Sequence, residues 1–390
     1  MTACIRALGL RLVLVGATSC ATTGAGPVAP PPAAEMEPGR KPVAGSDEGS
    51  LWMEADRREA ELRASALLVQ DTPLTAHVAM VACRVAGPHC EHVRVYVVGT
   101  ARPNATMAPN GALLLFTGLL LRTENEAQLA YVLAHEVGHY LRRHGLQQWR
   151  DRRDRATVGR ILDNLGNLGA LAWLGAPTFS RDQEREADEI ALDLIARAGY
   201  DASHAVALLD AWLAEETAAR RERPSGLLAT HPPTAERVAV ARAAVARAER
   251  AAGPTVGLRP DAHRRAIAPL LSGFLRDELR RRDFGGSLLL ADRLLASGAD
   301  AGAIHFFRGE VYRPRDEQDD DARAVAALTL ALQGDRTPAE AHRSLGLIHM
   351  KRGEAGLALT ALARYLKERP DAEDRGMIES YLARLERGTP

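Results

Sequence analysis

The sequence predicts a mainly α protein. An α+β domain, with a small sheet packed on buried helices, is followed by an all-α repeat solenoid. Three observations carry this. Residues 124–143 place Leu129, Ala130, Leu133, Ala134, Val137 and Tyr140 on one helical stripe. The short apolar runs Val93–Val98 and Gly111–Leu120 read as strands. After Gly253-Pro254 the chain turns helical in pattern, with recurring Ala and Leu. At 390 residues two domains are expected.

The N-terminus is expected to be a leader. Arg6 and Arg11 precede a short apolar core and small residues, a secretory pattern too short to span a membrane. Ala17-Thr18-Ser19-Cys20 resembles a lipobox, so residues 1–19 are expected to be a lipoprotein-type signal peptide. The resemblance implies a diacylated Cys20 that anchors the protein to a bacterial membrane. Ala21 in place of Asp implies the outer membrane. Ordinary cleavage, giving a soluble periplasmic protein, is the alternative. Residues 20–50 are rich in Ala, Pro, Gly and Thr and read as a flexible tether. No run of about 18 apolar residues follows, so no spanning helix is expected.

A first domain is expected over 51–252. Near its start, Cys83 and Cys90 lie between a helix end and the strand at Val93. In an oxidising compartment they form either a bridge or two separate buried thiols. Neither has the spacing of a metal site.

The helix over 124–143 contains His135-Glu136-Val137-Gly138-His139. Residues four apart share a helical face, so both imidazoles can reach one metal ion while Glu136 projects beside it. Two neutral nitrogen ligands and a carboxylate that can take a proton from water suit zinc hydrolysis chemistry. Such a centre needs a third ligand. About 45 residues on, Ser180 reads as an N-cap and Gly199 as the end of another helix. Glu184 and Asp188 share a face of it. One could ligate the metal and the other could hold a ligating imidazole by its free N–H. Glu186 would point about 200° around the helix from Glu184. His231-Pro232 precedes a further helix start and reads as a loop.

These stretches resemble the HtpX/BepA-type zinc metallopeptidases of the gluzincin group, a wider family that includes the CAAX prenyl endopeptidases. The resemblance runs in order through Asn104-Ala105, Pro109-Asn110-Gly111, Phe116–Leu120, Leu129–Glu136, Arg143-His144, Ser180-Arg181, Glu184 with Ala187-Asp188, Ala198–Asp201, Thr230-His231-Pro232 and Arg237. It implies one Zn2+ per chain held by His135, His139 and Glu184, with Glu136 as catalytic base. It implies that Asp188 orients a ligand and that His231 lies near the metal. There His231 either binds the substrate oxyanion or occupies the open position in a resting form. Arg237 either pairs with a site carboxylate or substrate, or makes a surface ion pair. Gly111–Leu120 is implied to be the edge strand along which an extended peptide pairs; a plain core strand is the other reading.

Residues 262–390 are expected to form a second domain. Leu345-Gly346, Gly353, Ala358, Leu362 and Pro370 fall at the offsets of a tetratricopeptide repeat. A second copy starts at Gly302 and carries the acidic insert 316–321. A weaker third spans about 265–299, and Met377–Arg387 reads as a capping helix. Such arrays present a concave surface to protein partners. Apolar Ile161–Leu174 reads as a buried helix, with a cleft lid or a membrane contact as alternatives. A formal net charge of +0 gives no reason to expect nucleic acid, and 4% aromatics argue against a stacking surface for sugars or bases.

The function expected is thus a zinc-dependent endopeptidase of the bacterial cell envelope. Its clients would be unfolded or misassembled envelope proteins, and a protein partner would sit on the repeats. The alternative is a chaperone-like adaptor acting mainly through the repeats.

Overall fold

The computed structural model describes residues 39–156, 179–219, 231, 235–251, 260–315, 317–334 and 338–388. The leader, Cys20, most of the tether and Ile161–Leu174 lie outside the described residues. Helix α1, Asp47–Arg63, opens the body, four residues inside the expected tether. Ser46 caps it by accepting from the Gly49 N–H, and Asp47 and Glu48 face its positive end. Helix α2, Thr72–Ala86, follows with Asp71 as its cap. Cys83 on α2 and Cys90 in the following 3-10 turn are joined by a disulfide, with Cα atoms 4.5 Å apart.

Three strands follow: β1 Arg94–Val98, β2 Ala105–Met107 and β3 Ala112–Phe116. The order in the sheet is β1-β3-β2, with β3 parallel to β1 and antiparallel to β2. All five residues of β3 are buried. Leu113 and Leu115 face a core shared with α2 and the first metal-site helix. Ala112, Leu114 and Phe116 face Ala55 and Leu62 of α1. The unbroken apolar run Ala-Leu-Leu-Leu-Phe is therefore what a strand covered on both faces requires. This corrects the expectation that 111–120 is the edge along which a peptide pairs. β3 is paired on both sides, and β1 and β2 are the outer strands.

A short helix α3, Thr117–Leu120, leads to α4, Glu126–Leu141, which is followed by α5, His144–Ala156. Helices α6, Arg181–Arg197, and α7, Ser203–Ala219, come next, and then α8, Ala235–Ala251.

Helix α9, Pro260–Ile267, starts an all-helical region. It continues through α10 Leu271–Leu279, α11 Phe284–Ala296, α12 Ala301–Arg315, α13 Asp320–Ala331, α14 Glu340–Lys351, α15 Ala355–Glu368 and α16 Arg375–Glu386. Consecutive helices pair. Gly309 lies so close to Leu328 that a Cβ there would meet the leucine at 2.6 Å, and Gly346 stands in the same relation to Leu362. The equivalence of the two crossings is what a repeated helical pair would give. The main core is continuous from Leu74 on α2 to Val311 on α12.

Buried charge ties the α9–α12 region to the first. Arg122 is 2% exposed. Its Nε donates to Glu215 on α7 at 2.7 Å and its Nη2 to Glu278 on α10 at 2.8 Å. No described helix is long and apolar enough to cross a membrane.

Candidate metal centre

Two helices carry the centre, and local sequence sets both. Asn125 caps α4 by accepting from the Gln128 N–H, and every residue from Glu126 to Tyr140 is buried. Ser180 and Gln183 form a reciprocal capping box at the start of α6, and Gly199 ends the helix with φ +83°. The helices cross at Gly138 and Ala187. A Cβ at Gly138 would lie 3.1 Å from the Ala187 carbonyl oxygen, so a larger residue would push α6 away. Gly138 stands between the two histidine positions, and Ala187 between Glu184 and Asp188.

This crossing brings His135, His139 and Glu184 together, and His231 joins them from the segment before α8. One donor atom from each lies within 4.8 Å of all the others, and all four residues are buried. The Nε2 atoms of His135 and His139 are 3.0 Å apart. His231 Nδ1 is 2.6 Å from Glu184 Oε1 and 3.2 Å from His135 Nε2. Glu136 lies beside them, 3.7 Å from His231 Nε2. The Met107 N–H at the end of β2 lies near the Glu136 carboxylate and favours its charged form.

A surrounding set of groups fixes these. Asp188 Oδ1 is 2.9 Å from His135 Nδ1 and accepts from the Tyr131 hydroxyl at 2.8 Å. Arg237 grips Asp188 through two nitrogens and donates a third hydrogen bond to the His231 carbonyl at 2.8 Å. Of the two readings of Arg237, the structure gives the pairing with a site carboxylate.

Residues 69–245 match the profile of peptidase family M48. Over that stretch the chain is similar to the M48 metallopeptidases. Among relatives of known role, the β-barrel assembly-enhancing protease of Escherichia coli K12 is 30% identical over 202 residues. That match spans 47% of this chain and 41% of the relative. The mitochondrial metalloendopeptidase OMA1 of Arabidopsis thaliana is 38% identical over 112 residues, 27% of this chain and 23% of the relative. OMA1 of Schizosaccharomyces pombe is 29% identical over 180 residues, 43% of this chain and 51% of that protein. The chain thus spans about half or less of the length of these relatives.

The donor set fits a metal ion. Each ring Nδ1 of His135 and His139 has a neighbour to hold it, which leaves both Nε2 atoms turned to the common point. Glu184 Oε2 and Glu136 Oε1 are buried, and neither has a hydrogen-bond partner among the described residues. Arg237 Nη1 stands 3.5 Å from Glu184 Oε2, but buried carboxylate oxygens without a hydrogen bond still carry a desolvation cost that a cation would offset. Two imidazoles and a carboxylate are a zinc-type ligand set.

Electrostatics separate the members by role. Burial pushes the Glu136 carboxyl upward, against the pull of His231 and His135. Burial also acts to raise Glu184 and Asp188. The histidines overcome it at Glu184, and Arg237 with His135 overcomes it at Asp188, so both stay below the usual carboxylate range. Burial lowers His135, but Asp188 and Glu184 more than offset it and bring it to about 9 without a metal. Burial holds His139 well below its ordinary value. The site thus favours anionic Glu184 and a neutral His139, the protonation states a metal needs from them.

Two contributors escaped the sequence reading. His144, wholly buried, places its Nδ1 2.8 Å from His139 Nδ1 and its Nε2 3.1 Å from Glu186 Oε2. Glu186 does point away from Glu184, yet it still faces the site's outer layer. Phe179 stacks on the His139 ring, with centroids 4.0 Å apart and planes 18° apart. The only sequence signal for His144 was its place in the Arg-His pair after the motif.

Proposed function

We propose that the chain is a zinc-dependent endopeptidase whose metal is held by His135, His139 and Glu184, with Glu136 as general base. The observation that carries this is the convergence of four donor atoms within 4.8 Å beside the orphaned, buried Glu136 oxygen. Zinc, when bound there, supplies Lewis acidity that polarises the scissile carbonyl and acidifies a water molecule. Glu136 takes a proton from the attacking water and later delivers it to the leaving amine. Its upward-shifted affinity for protons suits both steps. Asp188 fixes the His135 ring through Nδ1, and Arg237 keeps Asp188 charged and oriented.

Substrate binding follows from the sheet. β2 has an unpaired edge among the described residues, and its Met107 touches Glu136. An extended peptide adding to that edge would bring main-chain carbonyls past the base with little demand on side chains. His231 is the fourth donor of a resting form. Four protein donors close a tetrahedral shell, whereas hydrolysis needs one position open.

The relatives named for β-barrel assembly support clients among unfolded or misassembled envelope proteins. The leader pattern supports a periplasmic protein, lipid-anchored at Cys20 to the outer membrane. The paired helices of 262–390 support a tetratricopeptide array that recruits a protein partner. Cleavage of unfolded casein by the zinc-loaded full chain, with and without chelator, tests the reading. Chelator-sensitive cleavage is expected. Silence from both the native chain and His231→Ala would favour an adaptor acting through its repeats.

A further inference from the structure

The two histidines of the motif are held differently, and the difference points to a function for His144. His135 is backed directly by a carboxylate, Asp188. His139 is backed by another imidazole. In an unbroken helix, a residue five positions on lies about 140° around the axis, so His144 would point away from His139. The helix is broken. Arg143, between α4 and α5, has φ +56°, a left-handed conformation that costs a non-glycine residue roughly 1 kcal/mol. The turn it makes swings His144 back against His139. Arg143 is tied down by an ion pair with Glu48 of α1.

The hydrogen bonds then allow one consistent proton arrangement. His139 Nε2 faces the donor cluster, 3.0 Å from His135 Nε2 and 3.5 Å from Glu184 Oε1. To ligate, it must be bare, so His139 carries its proton on Nδ1. That proton is donated to His144 Nδ1 at 2.8 Å. His144 Nδ1 is then an acceptor, and its own proton sits on Nε2. There it is donated to Glu186 Oε2 at 3.1 Å. Glu186 is anchored by Arg142, whose Nε lies 2.8 Å from Oε1. Phe179 closes the face of the His139 ring.

We propose that His144 and Glu186 form a positioning relay that fixes the tautomer and ring orientation of His139 for metal binding. His144 and Glu186 are positioning residues and touch neither substrate nor metal. The inference rests on the reading of His139 as a ligand. The relay reaches the surface, since Glu186 is 41% exposed on its side chain, whereas Asp188 is sealed inside.

The test measures zinc affinity of the full chain by competition with a chromophoric chelator, and the visible spectrum of the cobalt(II)-substituted protein. Outer partners of this kind are worth about 10- to 100-fold in metal affinity. His144→Ala is expected to lose affinity in that range and to change the cobalt spectrum. His144→Asn should recover most of both, because its amide oxygen can accept where Nδ1 did. His144→Gln, whose amide sits at the Nε2 end, should not. Glu186→Ala, at a half-exposed site that does not threaten folding, should lose several-fold. His139→Ala is the control. If it binds zinc as tightly as the native chain, the ligand reading fails. If it loses zinc while His144→Ala and Glu186→Ala keep native affinity and spectrum, the relay is overturned and the ligand reading stands.

Discussion

Arg237 holds Asp188 in a two-nitrogen clasp, Nε to Oδ2 at 2.6 Å and Nη2 to Oδ1 at 2.7 Å, with both side chains buried. The clasp spans 49 residues and joins α8 to α6. It keeps Asp188 charged beside His135, so the geometry of the first motif histidine depends on a residue far from the motif.

Removing one member of a buried pair leaves the other uncompensated, at a cost of about 3–5 kcal/mol. Arg237→Met should therefore be strongly destabilised in denaturant unfolding. Arg237→Met with Asp188→Asn should recover part of the loss, yet still bind zinc about 10-fold or more weakly. A single variant as stable as the native chain would contradict the role given to the clasp.

His231 Nδ1 sits 2.6 Å from Glu184 Oε1, inside the donor cluster. If it closes the resting site, His231→Ala should retain about one zinc per chain, because three donors remain. Its casein cleavage should rise several-fold above native. A fall in rate with zinc retained would instead assign His231 to the oxyanion.

Arg122 bridges Glu215 and Glu278 with 2% of its surface exposed. Arg281 and Arg293 still face these glutamates at 2.8 and 3.0 Å, so the loss from Arg122→Met should fall near the low end for buried pairs, about 3 kcal/mol. Chemical denaturation measures it. A loss below about 1 kcal/mol would show that the second region docks without this network.

Much of the site was legible because its signals are local. Asn125, Ser180 and Gly199 mark helix ends by capping chemistry, and the four-residue spacings put His135 with His139 and Glu184 with Asp188 on shared faces. What was not legible depends on partners distant in sequence. The apolar run of β3 says that both its faces are covered, but only strand order says that β3 is central and β2 an outer strand. His144 meets His139 through a left-handed turn at Arg143, a residue whose type does not announce one. Arg122 finds its carboxylates 93 and 156 residues away, which no periodicity encodes.

His263 gives a pH signature away from the candidate metal centre. It is buried, its Nε2 donates to the Thr123 carbonyl at 2.9 Å, and its Nδ1 lies 3.2 Å from His77 Nε2. Burial, with His77 alongside, lowers its pKa to about 4. The unfolded chain binds this proton more readily, so the stabilisation is full above about pH 6.5 and is lost as pH falls toward 4. The shift corresponds to about 3 kcal/mol. Thermal unfolding of His263→Asn against native should show a shallower decline between pH 7 and pH 4.5. Parallel curves would contradict the assignment.

The most direct test of the central claim pairs casein cleavage with metal content in Glu136→Gln. The account predicts about one zinc per chain, as in native protein, because Glu136 is not a ligand. It predicts a rate reduced at least 100-fold, the lower range for loss of a general base. A Glu136→Gln protein that keeps full, chelator-sensitive cleavage would contradict it.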